Sequence, residues 1–360
     1  MSETAVSATP ESPEYETIDA DRLRKFCHAV FERLGMSSED AALMAEYFVW
    51  TELRGLAFVG ARRIPEFAAR LREGGSRLPP NGGVTVVHER DAFALVDAHH
   101  SFAQVSCLRA MDMAIEKAES TGVGVIVVRD TTSAGNLGYY AMRAAERGMI
   151  GMAINNTAPV MAAWGGVGGV MGAQPFAVAS PAGRHEPLLL DMTNSVMSMV
   201  RMHEYQARGE SLPDGAALTA HGEPTNDPAA AIAGTLLPVG HRAYGLAVMW
   251  EVITGVLAGG PRFGGNVGLP SHHRDPMGVS IFLQAIDPTS SIGYGSFTAR
   301  VDALIDHLEA SPTAPDVDHV RVPGERSAAL SRARRQQGIP MPAEVVGALT
   351  EVGSELGVEW

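Results

Sequence analysis

The chain has 360 residues, enough for one large or two modest domains, and its 46% hydrophobic and 19% charged content is that of a soluble globular protein. A net charge of −13 argues against a nucleic-acid surface, which needs a basic face to neutralise phosphates. No run of eighteen or more uncharged apolar residues occurs, so no membrane-spanning helix is expected, and Cys27 and Cys107 are too few for a disulfide framework. Both cysteines lie in apolar helical contexts and are expected to be buried, reduced thiols.

Residues 1–15, with Ser, Thr, Pro and Glu but no Lys or Arg, lack the basic start and apolar stretch of a signal peptide. They are expected to form a disordered leader on a cytoplasmic protein. Leu23, Phe26, Cys27, Val30, Phe31 and Leu34 then fall at helical spacing, stopped by Gly35. Ser37 with Asp40 reads as a capping box for a second helix that ends near Gly55. Short β signals follow at Val84–Val87 and Phe93–Val96, a helix at Phe102–Ser120 and a strand at Val123–Val128. The alternation continues with a helix at Leu137–Arg147, strands at Ile150–Ile154, Phe176–Ala179 and Leu188–Leu190, and a helix at Asn194–Arg208. Gly209–Pro238, rich in Gly, Pro, Asp and Thr, reads as a long ordered excursion. Helix at Tyr244–Leu257, strand at Val279–Ile286 and helices near Phe297–Leu308, Arg326–Gln336 and Pro342–Leu356 complete the pattern. Residues 16–360 are therefore expected to form one unit: a helical part (16–80), a central α/β part (81–310) and a helical part (311–360). A strand followed by Gly-x-Gly-x-x-Gly opening a helix is absent, and the cluster Gly165–Gly169 follows no apolar strand and reads as a turn.

Residues Arg54 to Pro65 (RGLAFVGARRIP) resemble the block Arg-Gly-Ile-x-Ser-His-Gly-Val-x-Arg-x-Pro of the malate/L-lactate dehydrogenase family, which also contains ureidoglycolate, sulfolactate and piperideine-carboxylate oxidoreductases. The resemblance runs from about Leu23 to Gly357. It includes Gly138-Tyr139-Tyr140-Ala141, Asn155 to Pro159 followed by Trp164-Gly165-Gly166, Asp191 to Ser195, Gly222 to Thr225, and Val322-Pro323-Gly324-Glu325. It implies a mixed-sheet α/β fold without a Rossmann domain, NAD or NADP as cofactor, and a homodimer with sites near the subunit interface. By the same resemblance the cofactor contacts fall on Thr157, Asp191, Met192, Thr193, Arg242, Gly324 and Glu325. A carboxylate such as Asp191 can accept from ribose hydroxyls, and Thr157 and Thr193 can hydrogen-bond an amide or phosphate. Without the family pattern, Asp191 reads as a charge at the N-terminus of a helix near Asn194.

Four departures from that pattern bear on chemistry. Val59 stands where the family has its first histidine and can neither hydrogen-bond nor titrate. Ser133 replaces the second, in Asp130 to Gly135 against the family's Asn-Ser-x-His-x-Gly, and a hydroxyl alone is no proton relay. Gly172-Ala173-Gln174-Pro175 replaces Gly-Thr-Asn-Pro, and His241-Arg242-Ala243-Tyr244-Gly245 replaces His-Lys-Gly-Tyr-Gly. Arg63 is retained, where a fork–fork pair with a substrate carboxylate is the functional role and a surface arginine beside Arg62 the plain one.

Of His99, His100, His203, His241, His272 and His273, His241 adjoins the cofactor block and is the candidate replacement acid; the others are expected on loops or the surface. No metal-site spacing is present, and no metal is expected.

Two functions fit. The first is an NAD(P)-dependent oxidoreductase, in specialised metabolism, on a small anionic and already activated substrate, either imine-like or a bulkier 2-oxo acid. Hydride chemistry belongs to the cofactor, and a protonated imine needs no proton delivered to it. The second is a repurposed non-redox enzyme (cyclisation, isomerisation or elimination) or a catalytically silent binding protein.

Overall fold

The structure, a computed structural model, describes residues 14–74, 79–81 and 83–360. Strand β1 (Tyr15–Ile18) precedes helices α1 (Ala20–Arg33), α2 (Ser38–Leu53) and α3 (Ile64–Gly74), with short 3-10 turns at Ala57–Val59 and Ala61–Arg63 between the last two. The central part holds β2 (Thr85–Arg90), β3 (Phe93–Asp97), α4 (Ala103–Thr121), β4 (Val123–Thr131), α5 (Leu137–Glu146), β5 (Ile150–Asn155), β6 (Phe176–Ser180) and β7 (Leu188–Met192). Helix α6 (Met199–Arg208) leads to β8 (Ala217–Leu218), β9 (Pro224–Thr225), α7 (Pro228–Ile232) and β10 (Thr235–Leu236). Helix α8 (Gly240–Glu251) continues into a π-helical stretch, Val252–Val256. The remainder is β11 (Val279–Ile286), α9 (Tyr294–Glu309), α10 (Glu325–Gln337), β12 (Ile339–Pro342) and α11 (Ala343–Leu356).

Seven strands make one mixed sheet in the order β2-β3-β4-β11-β5-β6-β7, in which β3–β4 is the parallel pair and the other neighbours are antiparallel. The β3–α4–β4 crossover produces that pair. Two glycines decide how closely helices lie on this sheet. A Cβ on Gly124 of β4 would fall 1.8 Å from the Ala114 carbonyl of α4, and one on Gly151 of β5 would fall 2.1 Å from the Ala141 carbonyl of α5. With no side chain at either point, both helices dock at backbone distance and fix the strand-to-helix turn that follows β4.

Three apolar cores result. One lies between the sheet and α4/α5, around Met111, Ile126, Val128 and Leu283. Another gathers Leu23, Phe31, Phe48 and Ile64 with Ile339, Val346 and Leu349, so the helical parts at the two ends share a single core instead of standing apart. A third, with Met161, Met202 and Leu236, packs the excursion after α6 against α6 itself and the β5–β6 connection. That excursion carries its own three-stranded sheet, β10-β8-β9.

Several expectations are corrected. The stretch expected as leader ends earlier, because Tyr15 already pairs with Pro342 in the β1–β12 ladder; residues 1–13 lie outside those described. Ser37 caps α2 through the Asp40 amide at 3.2 Å, but the reciprocal half of a capping box is missing. The Ser37 amide donates to Asn81, and the Asp40 carboxylate takes Arg109 at 2.6 Å. The helix expected from Asn194 starts at Met199, because side chains of the preceding residues tie down the backbone: Asn194 donates to the Gln174 carbonyl at 2.6 Å and Ser195 to the Met197 carbonyl at 2.7 Å. Both cysteines are buried, and burial pushes their thiols up. Among the described residues no helix is long and apolar enough to cross a membrane.

Candidate active site

The family-like block from Arg54 to Pro65 is a loop held from behind. Arg54 stacks its guanidinium over Trp50 at 4.5 Å and donates to Ser327. Glu52, 3% exposed, accepts the Ala61 amide at 2.8 Å; burial pushes its carboxyl up, opposed by that amide and by Arg334 and Arg62. The loop therefore turns at Gly60, where a Cβ would strike the Glu52 carboxylate at 2.3 Å.

Within this loop Val59 is half-buried, and the buried Tyr47 phenol donates to its carbonyl at 3.4 Å. The same phenol oxygen accepts the Asn136 amide at 2.8 Å, and burial pushes the group up to about 12. Gln104 donates to the carbonyls of Ser133 (3.2 Å) and Ala134 (3.4 Å) on the same turn. Val59 and Ser133 thus belong to neighbouring loops bridged by Tyr47 of α2. Arg63 directs both arms of its fork at Glu66, at 2.6 and 2.7 Å, while its neighbour Arg62 pairs with Glu344 of α11. Its side chain is only 22% exposed, so it is no ordinary surface arginine.

From Asn136 the connection continues to the expected cofactor residues. Asn136 caps α5 by accepting the Gly138 amide, and that amide also reaches Asp191 Oδ2 at 2.8 Å. Asp191 therefore does sit at a helix N-terminus, but that of α5 and not one near Asn194. It keeps solvent access along β7, yet the protein around its carboxyl pushes it up to about 6, with the Gly138 amide opposing. Met192 beside it is exposed. Thr157 accepts the Ala173 amide at 3.1 Å, and Thr193 donates to the Ala173 carbonyl at 3.2 Å, so the two hydroxyls meet at one residue. Gly324, with φ 92°, backs onto β7: its own Cβ would be 2.9 Å from the Leu189 nitrogen, and Leu189 donates to the Pro323 carbonyl. Glu325 accepts from His319 (2.8 Å) and the Val322 amide (3.2 Å), and the imidazole holds its carboxyl below the usual range.

Arg242 is exposed in the first turn of α8, tied to this group through the Val239 amide on the Asn194 carbonyl at 2.9 Å. His241 is exposed too, its ring 6.1 Å from that of Trp164, and so stands with the cofactor block and not with Ser133. Of the six histidines weighed in the sequence, His100 is the one with an enclosed ring nitrogen lacking a partner.

A residue missed by sequence reasoning is Glu251 of α8, which is 8% exposed. It accepts from Asn156, from the Gly264 amide at 2.8 Å, and from the side chain of Gln174. The longer amide at 174 is what reaches it. On the surface His185, Asp306 and Glu309 come together, with Arg184 already paired to Asp306. Two open hollows, about 310 Å³ beside Arg62 and α11 and about 210 Å³ beside Trp50 and Tyr139, include none of the expected cofactor residues.

The donor set fits a nicotinamide dinucleotide. It offers a carboxylate with one uncommitted oxygen for ribose hydroxyls, two threonine hydroxyls, an exposed arginine for phosphate, and orphaned buried acceptors on Gln174 and Asn194 toward an amide.

A family described as malate/L-lactate dehydrogenase matches residues 18–350. The chain is 32% identical over 354 residues to a malate dehydrogenase of Pyrococcus abyssi, covering 96% of each. It is 31% identical to a (2R)-3-sulfolactate dehydrogenase (NADP(+)) of Chromohalobacter salexigens over 89% of this chain and 93% of that one. Its fold matches the sulfolactate dehydrogenase of Methanocaldococcus jannaschii with a TM-score of 0.89 at 30% identity, covering 96% and 98% of the two chains.

Proposed function

The chain belongs to the malate/L-lactate dehydrogenase family, and from that premise we propose that it is an NAD(P)-dependent oxidoreductase for a small anionic substrate already activated toward reduction. The substrate is imine-like or a bulkier 2-oxo acid. The observation that carries this reading is the pairing of Asp191 with the Gly138 amide beside Thr157 and Thr193. It supports reading these residues as a cofactor cradle, while the neighbouring loops present Val59 and Ser133 in place of imidazoles.

A bound nicotinamide supplies hydride exchange. The residues of this chain do the rest. Asp191, Met192, Thr193, Thr157, Arg242, Gly324 and Glu325 hold the cofactor. Arg63 anchors the substrate anion once its fork turns from Glu66. Val59, with Phe58, walls the pocket with apolar surface that admits a bulkier substrate and excludes water. Ser133 offers a hydrogen bond, and His241 stands at the cofactor side as a titratable group.

Losing a general acid costs roughly 10²–10⁴-fold, a loss a protonated imine avoids. The protein is further proposed to work in the cytoplasm as a homodimer. The exposed apolar stripe Leu246, Met249, Val252 and Val256 along α8 and its extension offers a face for the second subunit.

One observation favours the alternative of a non-redox or silent binding protein: Arg63 and Glu325, both assigned to ligands, are satisfied internally by Glu66 and His319. Calorimetry with NADH and NADPH decides between them. Binding of either, followed by faster reduction of a cyclic imino acid or bulky 2-oxo acid than of oxaloacetate or pyruvate, is expected. Failure of both cofactors to bind removes the redox reading.

A further inference from the structure

Neither Val59 nor Ser133 can supply a proton, but the turn that carries Ser133 begins with a carboxylate the family pattern lacks. Asp130 stands where that pattern has asparagine. Among the described residues five non-glycine positions have left-handed backbone, and His99 (φ 50°), His100 (φ 65°), Asp130 (φ 53°) and Gln174 (φ 45°) are four of them. Such conformations cost of order 1–3 kcal/mol each and persist where the surroundings enforce them, often at functional sites. Here three of the four are joined directly, because His100 donates its backbone amide to the Asp130 carbonyl at 2.6 Å and His99 precedes it.

The sheet is also irregular at this point. Val279 pairs with Thr131 whereas Ile281 pairs with Val128, so Arg129 and Asp130 stand opposite Ser280 alone. Bulges of this kind re-aim side chains next to active sites. Three enclosed polar atoms here have no hydrogen-bond partner: Nδ1 of His100, Oδ1 of Asp130 and Oγ of Ser280. A Cβ on Gly260 would come within 3.9 Å of Asp130 Oδ1 and 3.8 Å of Ser280 Oγ, so the missing side chain there leaves room between them. Ser280 in turn exchanges backbone and side-chain bonds with Asn156, the residue before Thr157. The cluster therefore adjoins the cofactor cradle. The charged groups acting on Asp130 are His100, Asp97, Arg129 and Arg262; burial dominates and raises its carboxyl. Arg129 is itself held by Asp97 at 2.9 Å.

We propose that His100, tied through its backbone amide to Asp130, is the acid–base group of this site and serves the reduction of a 2-oxo acid. The inference rests on the oxidoreductase reading above. In that reaction a nicotinamide held at the cradle around Asp191 would supply the hydride for the carbonyl carbon. The π pair of the C=O bond becomes the O–H bond, using the proton that the His100 imidazolium loses. The neutral imidazole regains a proton from solvent, so the carbonyl gains one hydride and one proton. A protonated cyclic imine takes its hydride without this proton, and that difference makes the role testable.

The variants are His100→Asn and Asp130→Asn, since asparagine tolerates left-handed backbone but cannot titrate. His99→Asn is the control, its ring being engaged with Thr85 at 2.8 Å. With phenylpyruvate, kcat/KM should fall roughly 10²–10⁴-fold in His100→Asn, and the limb of its pH profile due to the acid should disappear. Reduction of Δ1-piperideine-2-carboxylate should change less than about threefold, the margin of an uninvolved group. Binding of oxamate to the NADH- or NADPH-saturated protein at pH 8, in buffers of different ionisation enthalpy, should take up about one proton in the parent and His99→Asn, and none in His100→Asn. Equal loss on both substrates, an unchanged pH profile, absent oxamate binding or equal proton uptake overturns the assignment of His100 while leaving the oxidoreductase reading intact. Failure to bind either nicotinamide overturns that reading as well, and is measured first.

Discussion

Gly138 donates its backbone amide to the carboxylate of Asp191 at 2.8 Å, joining the first turn of α5 to the end of β7. Through Asn136 and Tyr47 the same turn touches the Val59 carbonyl. The loop that carries Val59 and the strand end proposed for the cofactor are thus linked by one run of hydrogen bonds, and a change at either end is felt along it.

The first prediction concerns protons on Asp191. Its carboxyl is raised to about 6 by the protein packed around it, so folding favours the neutral form between about 3.9, its ordinary value, and about 6. This group's contribution to stability accordingly grows as pH falls through that window and is lost above it. Cofactor binding runs the other way, because the ionised form is the better acceptor for ribose hydroxyls. NADH or NADPH affinity should drop about tenfold between pH 7 and pH 5 and be weak and pH-independent in Asp191→Asn. Calorimetry across that range checks it; a parent protein with flat pH dependence would contradict the assignment.

Tyr47→Phe removes the acceptor for the Asn136 amide at a fully enclosed position. Stability should fall by about 1–3 kcal/mol, the cost of an unmet buried donor. Urea denaturation measures it, and a change below about 0.5 kcal/mol would mean that the turn re-pairs elsewhere.

Arg63 and Glu66 give a prediction of opposite signs. Arg63→Lys should weaken binding of an anionic substrate because the planar fork is lost although the charge stays. Glu66→Gln should strengthen it, since the internal competitor for the same fork loses its charge. Calorimetry with oxamate on the NADH- or NADPH-saturated protein reads both. If both variants bind as the parent does, Arg63 holds only the start of α3.

Gly151→Ala should be costly for a residue so small. The added methyl meets the Ala141 carbonyl at 2.1 Å and Ala144 Cβ at 2.9 Å, forcing α5 off the sheet. A destabilisation of about 3 kcal/mol, the upper range for overpacking, should come with weaker nicotinamide binding, as the first turn of α5 carries the amide for Asp191. Thermal melts paired with calorimetry test the coupling; destabilisation without loss of affinity would break it.

Periodicity located the central strands and helices to within a few residues because each has one face on a large core, as with Ala110, Ala114 and Ala118 on α4 against β4. It was silent on β1 and β12, four residues each, whose existence depends on a partner far along the chain. The family resemblance pointed to Asp191, Thr157 and Thr193, and the two threonines do meet at Ala173. It left out Tyr47, Glu251 and the His100–Asp130 corner, whose roles arise from loops meeting in space. A lengthened amide at Gln174 was visible in the sequence, but its partner Glu251 on a distant helix was not.

The shared core of the terminal helices has a consequence for biogenesis. Helices α1 and α2 emerge from the ribosome early, with Phe26, Phe31 and Phe48 on their inner faces, yet their covering helix α11 and the strand that pairs with Ile18 are made last. Closing so long a loop is entropically slow to recruit, and apolar faces left waiting are prone to stick to one another. Slowed translation of the last segment, or its truncation before Val345, should therefore send the nascent protein to chaperones or inclusion bodies although every residue of the proposed nicotinamide cradle has already been made.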